Sequence, residues 1–504
     1  MRIVLLEHPR APSAVHFNDI ANTPLWSCLM TGYAASSLLD AGFDVKIIDA
    51  TRRSFEDAIR LAIDTPSELL AVHAVYFWER TGELFEMLSE ARRKGYRGVV
   101  CLFGFFSTLA WRDILDHAPA VDCVVVGEPE ETLVELAGSI KAGSIAQCGG
   151  LAARAQGKAT LFGPRAPIDP LDRLPFPVRP SLETEETTSV LASRGCYNGC
   201  SFCLIPTLNG GQAVWRGRSA ANVAAEIAEL TAVGKRDIYF VDPNFIGPGK
   251  AGKEDAVRLS HALAELGITF GMETRANDIT KPLVRNLCNA GLTSLLLGIE
   301  SGNPRVLKRL CKRTTVAQNE RAIAAVRDAG IEPEIGFIMF EPASTLDDIT
   351  ENVRFLERNQ LLGKLGRTAN LLYHYQIAFK GTPGYSLTRE QGKLVPEGLF
   401  GFEGRLLYED HRVGWLAGIM RPICQFILRE MGNRASRIHW SAEAVGDNAF
   451  QAVNNHFVQI FKEMLTTAAN LTSEPATVWT ARLVTGAMEQ LEKTLAEVEV
   501  RAAE

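Results

Sequence analysis

An α/β protein with two successive strand–helix series and a helical carboxy-terminal region is the fold class that this 504-residue sequence predicts. Three observations predict it. Short Val/Ile/Leu runs alternate with helix-like segments over residues 1–150. A second alternation starts at Thr188, after a proline-crowded stretch. Past about residue 400 the strand signals fade and helical periodicity remains.

The first series has strand candidates Ile3–Leu6, Val45–Ile48, Leu69–Val75, Val99–Phe103 and Val121–Val126. Helix-like segments such as Leu29–Asp40 and Thr81–Arg93 lie between them, and Gly42 stands where a helix C-cap glycine is expected. Continuous apolar runs at this rhythm predict a parallel sheet covered on both faces, hence a doubly wound domain over 1–150. Ligands of such sheets sit beyond the carboxyl ends of the strands. The loops Glu7–Trp26, Tyr76–Arg80, Gly104–Thr108 and Gly127–Glu131 are therefore the ones to watch.

Residues 151–185 read as a linker, because Pro164, Pro167, Pro170, Pro175, Pro177 and Pro180 disfavour helix. The second series, over 186–395, has strand candidates Ser189–Ser193, Asp237–Val241, Thr269–Thr274, Ser294–Ile299, Glu334–Phe340 and Asn370–Ala378. Ser219 caps one intervening helix, Thr315 with Gln318 forms a capping box, and Thr345 opens another helix. Six strands with crossover helices predict a partial β/α barrel. Trp415–Met431, Ala449–Ala468 and Trp479–Ala502 read as helices of a region over 396–504, to which no chemistry is assigned.

Composition excludes several classes. With 46% hydrophobic and 22% charged residues the chain is neither disordered nor a small disulfide scaffold. A formal net charge of −6 argues against a broad phosphate-binding surface, so nucleic acid is not an expected partner. The start MRIVLLEHPR lacks the apolar core of a secretory signal, and no apolar run reaches the length of a membrane span. A cytoplasmic protein with no stable membrane span is expected.

Ten cysteines are present, and their placement is informative. Cys101, Cys123 and Cys288 lie in apolar surroundings and read as inert core residues. Cys196, Cys200 and Cys203 fall within eight residues, in Ser193-Arg194-Gly195-Cys196-Tyr197-Asn198-Gly199-Cys200-Ser201-Phe202-Cys203. The segment follows the first strand of the second series, at the barrel mouth where such folds build their sites. Thiolates at this spacing suit zinc or iron–sulfur. A structural zinc needs a fourth ligand, and none stands nearby in sequence. Three cysteines on a four-iron cluster leave one iron open. For His8, His16, His73 and His117 the structural reading, a hydrogen-bonded histidine beside a strand, is preferred over a ligand.

The pattern CxxxCxxC, with Phe202 before the last cysteine, resembles the signature of the radical S-adenosylmethionine superfamily. The resemblance implies that Cys196, Cys200 and Cys203 hold a 4Fe-4S cluster. It implies that the open iron binds S-adenosylmethionine, which is cleaved to a 5′-deoxyadenosyl radical. Phe202 then matches a residue contacting adenine, and Ile338 a residue packing on it. Asp242, in Phe240-Val241-Asp242-Pro243-Asn244-Phe245, stands where the family contacts the methionine amino group, although the usual Gly-Gly-Glu is absent. Arg275, Glu300 and Ser301, at the ends of the third and fourth strands, are implied to line the cofactor site. Gly381-Thr382-Pro383-Gly384 resembles a recurrent turn of the family.

The doubly wound domain and the linker Leu171-Asp172-Arg173-Leu174-Pro175-Phe176-Pro177 ahead of this barrel resemble the cobalamin-binding group of that superfamily. Gly127 and Glu128, in Val126-Gly127-Glu128-Pro129-Glu130-Glu131-Thr132, resemble that group's turn after the fifth strand, and Gly104 the turn after the fourth. The Asp-x-His-x-x-Gly segment that ligates cobalt in other cobalamin proteins is missing. Its absence implies cobalamin bound without histidine ligation, or a domain that has lost it.

The resemblance thus implies a Rossmann-like cobalamin-binding-type domain, a radical S-adenosylmethionine partial barrel, and a cobalamin-dependent methyltransferase of an unactivated carbon. A small-molecule substrate and an electron donor such as flavodoxin or ferredoxin are the implied partners. A cyclase, lyase or rearranging enzyme of the same group is one alternative. A non-catalytic zinc-binding or ligand-sensing protein is the other. No residue is assigned as the catalytic group itself.

Overall fold

The computed structural model of the chain describes residues 1–10, 29–145, 147–434, 450–473 and 475–503. His16, Cys28 and most of the Glu7–Trp26 loop lie outside them.

Strands β1 (Arg2–Glu7), β2 (Asp44–Asp49), β3 (Leu69–His73), β4 (Val99–Phe103), β5 (Cys123–Val125), β6 (Leu151–Ala155) and β7 (Lys158–Leu161) form one sheet in the order β2-β1-β3-β4-β5-β6-β7. The first five are parallel. Alternate side chains serve opposite cores, as a covered parallel sheet requires. Ile3, Leu5, Leu69, Ala71, Cys101 and Phe103 meet helices Leu29–Asp40 and Pro129–Lys141. Val4, Leu6, Leu70, Val72, Val100 and Leu102 meet Phe55–Asp64, Thr81–Arg93 and Phe105–His117. The domain is doubly wound, and the strand order reverses between β1 and β3, the switch point where such sheets bind ligands.

Strands β6 and β7 correct the expected linker. They pair antiparallel and extend this sheet, with Gln156-Gly157 as their turn. Their runs of four and five residues are too short to rise above the loop signals around them.

In the second unit β8 (Thr188–Val190), β11 (Asp237–Phe240), β12 (Thr269–Arg275), β13 (Leu292–Glu300) and β14 (Glu334–Phe337) form a parallel sheet in the order β14-β13-β12-β11-β8. A short hairpin of β9 (Ser193–Gly195) and β10 (Trp215–Gly217) carries the cysteine segment. The capping residues act as expected. Ser219 accepts the Asn222 N–H at 3.2 Å, and capping boxes form at Thr315/Gln318 and Thr345/Asp348.

The expected sixth strand is also corrected. Leu365–Tyr373 is helical, and only a single parallel bridge, Phe340 to Tyr375, marks the place of that strand. The run is helix because its apolar residues pack against helix His411–Arg434 of the carboxy-terminal region. Ile419, Ile423, Ile427, Phe457 and Phe461 belong to the same core as the barrel's Phe240, Leu295 and Phe355. The tail therefore shares its core with the barrel.

A small antiparallel sheet of β15 (Ala378–Phe379), which begins on the last residue of that expected strand, β16 (Leu394–Glu397) and β17 (Glu403–Leu406) follows. It leads Phe379 and Phe402 into the first domain, where the Phe402 ring lies 4.6 Å from Tyr76 and 4.9 Å from Phe106. Aromatic pairs of this kind are worth about 0.5–1.5 kcal/mol each beyond their burial.

Candidate active site

The cysteine loop leaves β9 at Gly195, which has φ +84°, and a side chain there would strike the Val214 carbonyl of the hairpin. Only glycine satisfies both conditions. Cys196 and Cys200 are buried, and Cys203 is half-buried. The loop is pinned from three directions. Ser201 N–H donates to Leu310 O at 3.0 Å, and Gly384 N–H to Ser201 O at 2.7 Å. Tyr197 donates to Asp278 at 2.7 Å, at the end of β12. The turn at 381–384 is thus a brace for the loop.

Donors converge on Cys200. Asn198 Nδ2 lies 3.0 Å from its Sγ and Arg275 Nη1 3.8 Å away. Arg275 is fixed by Lys312 O at 2.5 Å and Asn277 Oδ1 at 3.1 Å. Burial pushes the Cys203 thiol up to about 12, with Cys200 and Cys196 adding to the shift, and burial raises Cys196 as well. Burial thus favours the protonated form of Cys196 and Cys203 until a cation binds. Among the described residues, no three His, Cys, Asp or Glu side chains converge as for a single metal ion.

Phe202 packs with Ile338, Val306 and Leu310 in one apolar cluster, so two residues far apart in sequence make one surface. Glu300, with φ +63°, pairs with Lys312 Nζ at 2.8 Å beside it. Arg275, Glu300, Phe202 and Ile338 therefore border one region next to the cysteines.

Three expected residues are engaged by protein partners. Asp242 is fully buried and accepts Ala192 N–H at 3.1 Å and Ser193 Oγ–H at 2.5 Å, so it braces the strand leading into the loop. Burial pushes it up to about 7. Ser301 is fully buried and donates to Asn352 at 2.7 Å. Glu128 pairs with Arg194 at 3.0 Å and Arg216 at 2.8 Å, while Glu130 takes Arg194 at 2.6 Å. Those arginines stand on β9 and β10, so the turn after β5 grips the cysteine hairpin.

Sequence reasoning passed over Asn198, Lys312 and Asn244. Asn244 accepts Arg275 N–H and Thr274 Oγ–H, each at 3.0 Å. The buried polar runs around Asp242 and after Cys311 were the available signal.

An apolar pocket lies between the two units. The ends of β3 and β4 contribute His73, Val75, Tyr76 and Phe106, and the second unit contributes Leu204 and Phe402. Leu204 directly follows Cys203. Gly104 has φ +111° and Gly127 φ +100°, and a side chain at Gly127 would meet nothing within 4 Å. The pocket wall is mostly apolar and aromatic.

Residues 190–356 match the model of the Radical SAM superfamily. An uncharacterized methyltransferase of Pyrococcus horikoshii is 25% identical over 336 residues, which are 64% of this chain and 72% of that protein. The anaerobic magnesium-protoporphyrin IX monomethyl ester cyclase of Rubrivivax gelatinosus is 29% identical over 371 residues, 66% of this chain and 62% of the cyclase. The chain thus spans less than two thirds of the cyclase's length. The cobalamin-dependent S-adenosylmethionine radical enzyme OxsB, solved with aqua-cobalamin and S-adenosylmethionine bound, superposes with a TM-score of 0.79 at 17% identity. That match covers 99% of this chain and 80% of OxsB, and it is a likeness of fold.

The class is an α/β enzyme whose partial barrel displays a three-cysteine loop beside a doubly wound domain. Residues 190–356 are a domain of the Radical SAM type, which implies a 4Fe-4S cluster and S-adenosylmethionine as cofactors. No helix among the described residues is long and apolar enough to cross a membrane.

Proposed function

We propose that this protein is a cobalamin-dependent radical S-adenosylmethionine methyltransferase acting on an unactivated carbon of a small-molecule or natural-product substrate. The observation that carries the reading is the pocket at the ends of β3 and β4, whose far wall, Leu204, adjoins Cys203. It puts an apolar wall at the strand ends of the first sheet next to the cluster loop. When bound, these groups supply a hydrogen-abstracting 5′-deoxyadenosyl radical and a transferable methyl group.

In this reading Cys196, Cys200 and Cys203 hold the cluster. Asn198 and Arg275 donate toward Cys200 and stabilise its negative charge. Phe202 and Ile338 offer an apolar seat for adenine, and the Glu300–Lys312 pair offers polar contacts beside it. The aromatic seam of Tyr76, Phe106, Phe379 and Phe402 keeps water from the junction of the two units. Flavodoxin or ferredoxin is the proposed electron donor, in a reducing cytoplasmic setting. The cyclase among the relatives gives a second reading, in which the radical drives ring closure without methyl transfer.

The test is anaerobic reconstitution. About four irons per chain and 5′-deoxyadenosine on reduction are expected. One bound corrinoid and label passing from methyl-labelled S-adenosylmethionine to product complete the expectation. Cleavage without label transfer favours the cyclase reading. Cleavage retained by Cys200→Ala rejects the cluster assignment.

A further inference from the structure

The cysteine loop comes close to the surface along one edge. Asn198 Nδ2 donates to Cys200 Sγ at 3.0 Å and to Cys311 O at 3.1 Å, and Cys311 is exposed. Two hydrogen bonds thus lead from a cysteine sulfur to an exposed residue. Ser201, half-buried next to Cys200, joins two outer elements over this edge. Its N–H donates to Leu310 O at 3.0 Å and its Oγ–H to Arg309 O at 3.3 Å, at the end of helix Pro304–Arg309. Its carbonyl accepts the Gly384 N–H at 2.7 Å, in the first turn of helix Pro383–Glu390.

The edge is basic in an acidic chain. Pro304-Arg305-Val306-Leu307-Lys308-Arg309-Leu310-Cys311-Lys312-Arg313 holds five cations and no acid, against a formal net charge of −6 for the whole. Arg305 and Arg309 are engaged by Asp348 and Glu341, and Lys312 by Glu300. Lys308 and Arg313 are exposed, with no ion pair among the described residues. The same holds for Arg389 on the second helix, where Glu390 is the one acid. Leu387, about one turn from Gly384, is a large apolar side chain left exposed. Weak redox encounters use small interfaces with an apolar centre and a charged rim, and opposite charge steers the partner in.

We propose that this edge is the docking surface for a small acidic one-electron carrier protein of the ferredoxin kind. Lys308, Arg313 and Arg389 attract its carboxylates, and Asn198 links Cys200 to the point of contact. One electron leaves the carrier's reduced iron–sulfur centre and enters the cluster, no bond forms or breaks, and no proton moves. The inference rests on the cluster reading above and gives the place where its partner binds.

The test uses full-length protein with its iron cluster reconstituted without oxygen, and reduced ferredoxin as the probe. Formation of 5′-deoxyadenosine is followed against ferredoxin concentration. Lys308→Glu/Arg313→Glu is expected to raise the KM for ferredoxin about tenfold with kcat near wild type, and the gap should close at high salt. With dithionite, which needs no docking, the variant should match wild type. The Lys141→Glu/Lys158→Glu protein changes two exposed lysines of the first domain by the same charge and should behave as wild type. A second readout needs no turnover. Saturating ferredoxin is expected to slow maleimide alkylation of Cys311 severalfold, read on the Cys311 peptide by mass spectrometry.

An unchanged KM for ferredoxin overturns the proposal, and so does an equal rise in the Lys141→Glu/Lys158→Glu protein. Loss of activity with dithionite as well places the effect at the cluster and overturns it too. Alkylation of Cys311 that ignores ferredoxin means that the carrier docks elsewhere. Wild-type protein that holds iron yet forms no 5′-deoxyadenosine with either reductant overturns the cluster reading itself, and this inference with it.

Discussion

At the residue scale, polarity around the cluster loop is concentrated on one sulfur. Asn198 and Arg275 both aim at Cys200, and Arg275 also lies over the Tyr197 ring at 5.5 Å. Asn198→Ala should therefore lower the cluster's reduction potential by tens of millivolts while iron content stays near that of wild type. Protein-film voltammetry would show it, and an unshifted potential would remove Asn198 from this role. A second residue prediction concerns Glu273 inside the barrel. Tyr239 donates to it at 3.2 Å, and burial, reinforced by Asp242, pushes its carboxyl up to about 7. Its unfolded-state value is about 4.3, so folding takes up a proton between these limits. The stabilising contribution is complete below about pH 4 and is lost as pH rises through 7. Glu273→Gln should flatten that part of the stability–pH curve and raise stability above pH 8 by on the order of 2 kcal/mol. Thermal unfolding between pH 5 and 9 reads this directly, and parallel curves for the two proteins would refute it.

At the scale of elements, the β9–β10 hairpin decides whether three cysteines become a site. Gly195→Ala costs about 1–2 kcal/mol for the left-handed backbone alone, and it adds a clash with Val214. Loss of most bound iron is expected, with the two sheets intact by circular dichroism. Normal iron content in that variant would show that the loop can reroute. The elements also show where local patterning succeeds. Strand Val99–Phe103 and helices Leu29–Asp40 and Thr81–Arg93 have the bounds that apolar patterning and caps indicate. Asn370–Ala378 misleads, because a half-buried run beside a helical neighbour takes whichever conformation its partner covers. Strands β6 and β7 escape for a related reason. Their stability comes from pairing with β5 rather than from any propensity of their own.

For the whole molecule, the two units are joined by charge as well as by aromatic packing. Glu128 remains ionised to lower pH than usual. Burial acts against this, but the Arg216 hydrogen bond and the charge of Arg194 outweigh it. The linkage runs opposite to that of Glu273. This contribution is present above about pH 4.5 and is lost as pH falls through the depressed value. Breaking a buried pair of this kind costs about 3 kcal/mol. Glu128→Gln should therefore make the proline-rich stretch around Pro164–Pro180 more sensitive to limited proteolysis at neutral pH. It should also lower the yield of cluster, since Arg194 and Arg216 flank the cysteine loop. Unchanged proteolysis and iron content would mean that the aromatic seam alone holds the units together.

The sequence by itself determined the class of chemistry, because three thiols at this spacing and one flanking Phe202 are local facts that need no tertiary information. It also determined the doubly wound first domain and most of the barrel, since buried parallel strands and capped helices leave their period in the residues. Only the tertiary structure decided which polar residues brace the fold and which distant apolar residues meet. Asp242, Ser301 and Glu128 went to bracing, while Phe202 and Ile338 met. The physical reason is that a side chain's partners come from strands and loops far away in the chain. The pairing of Glu7 with His73, 66 residues apart, is set by strand register and by nothing in either neighbourhood.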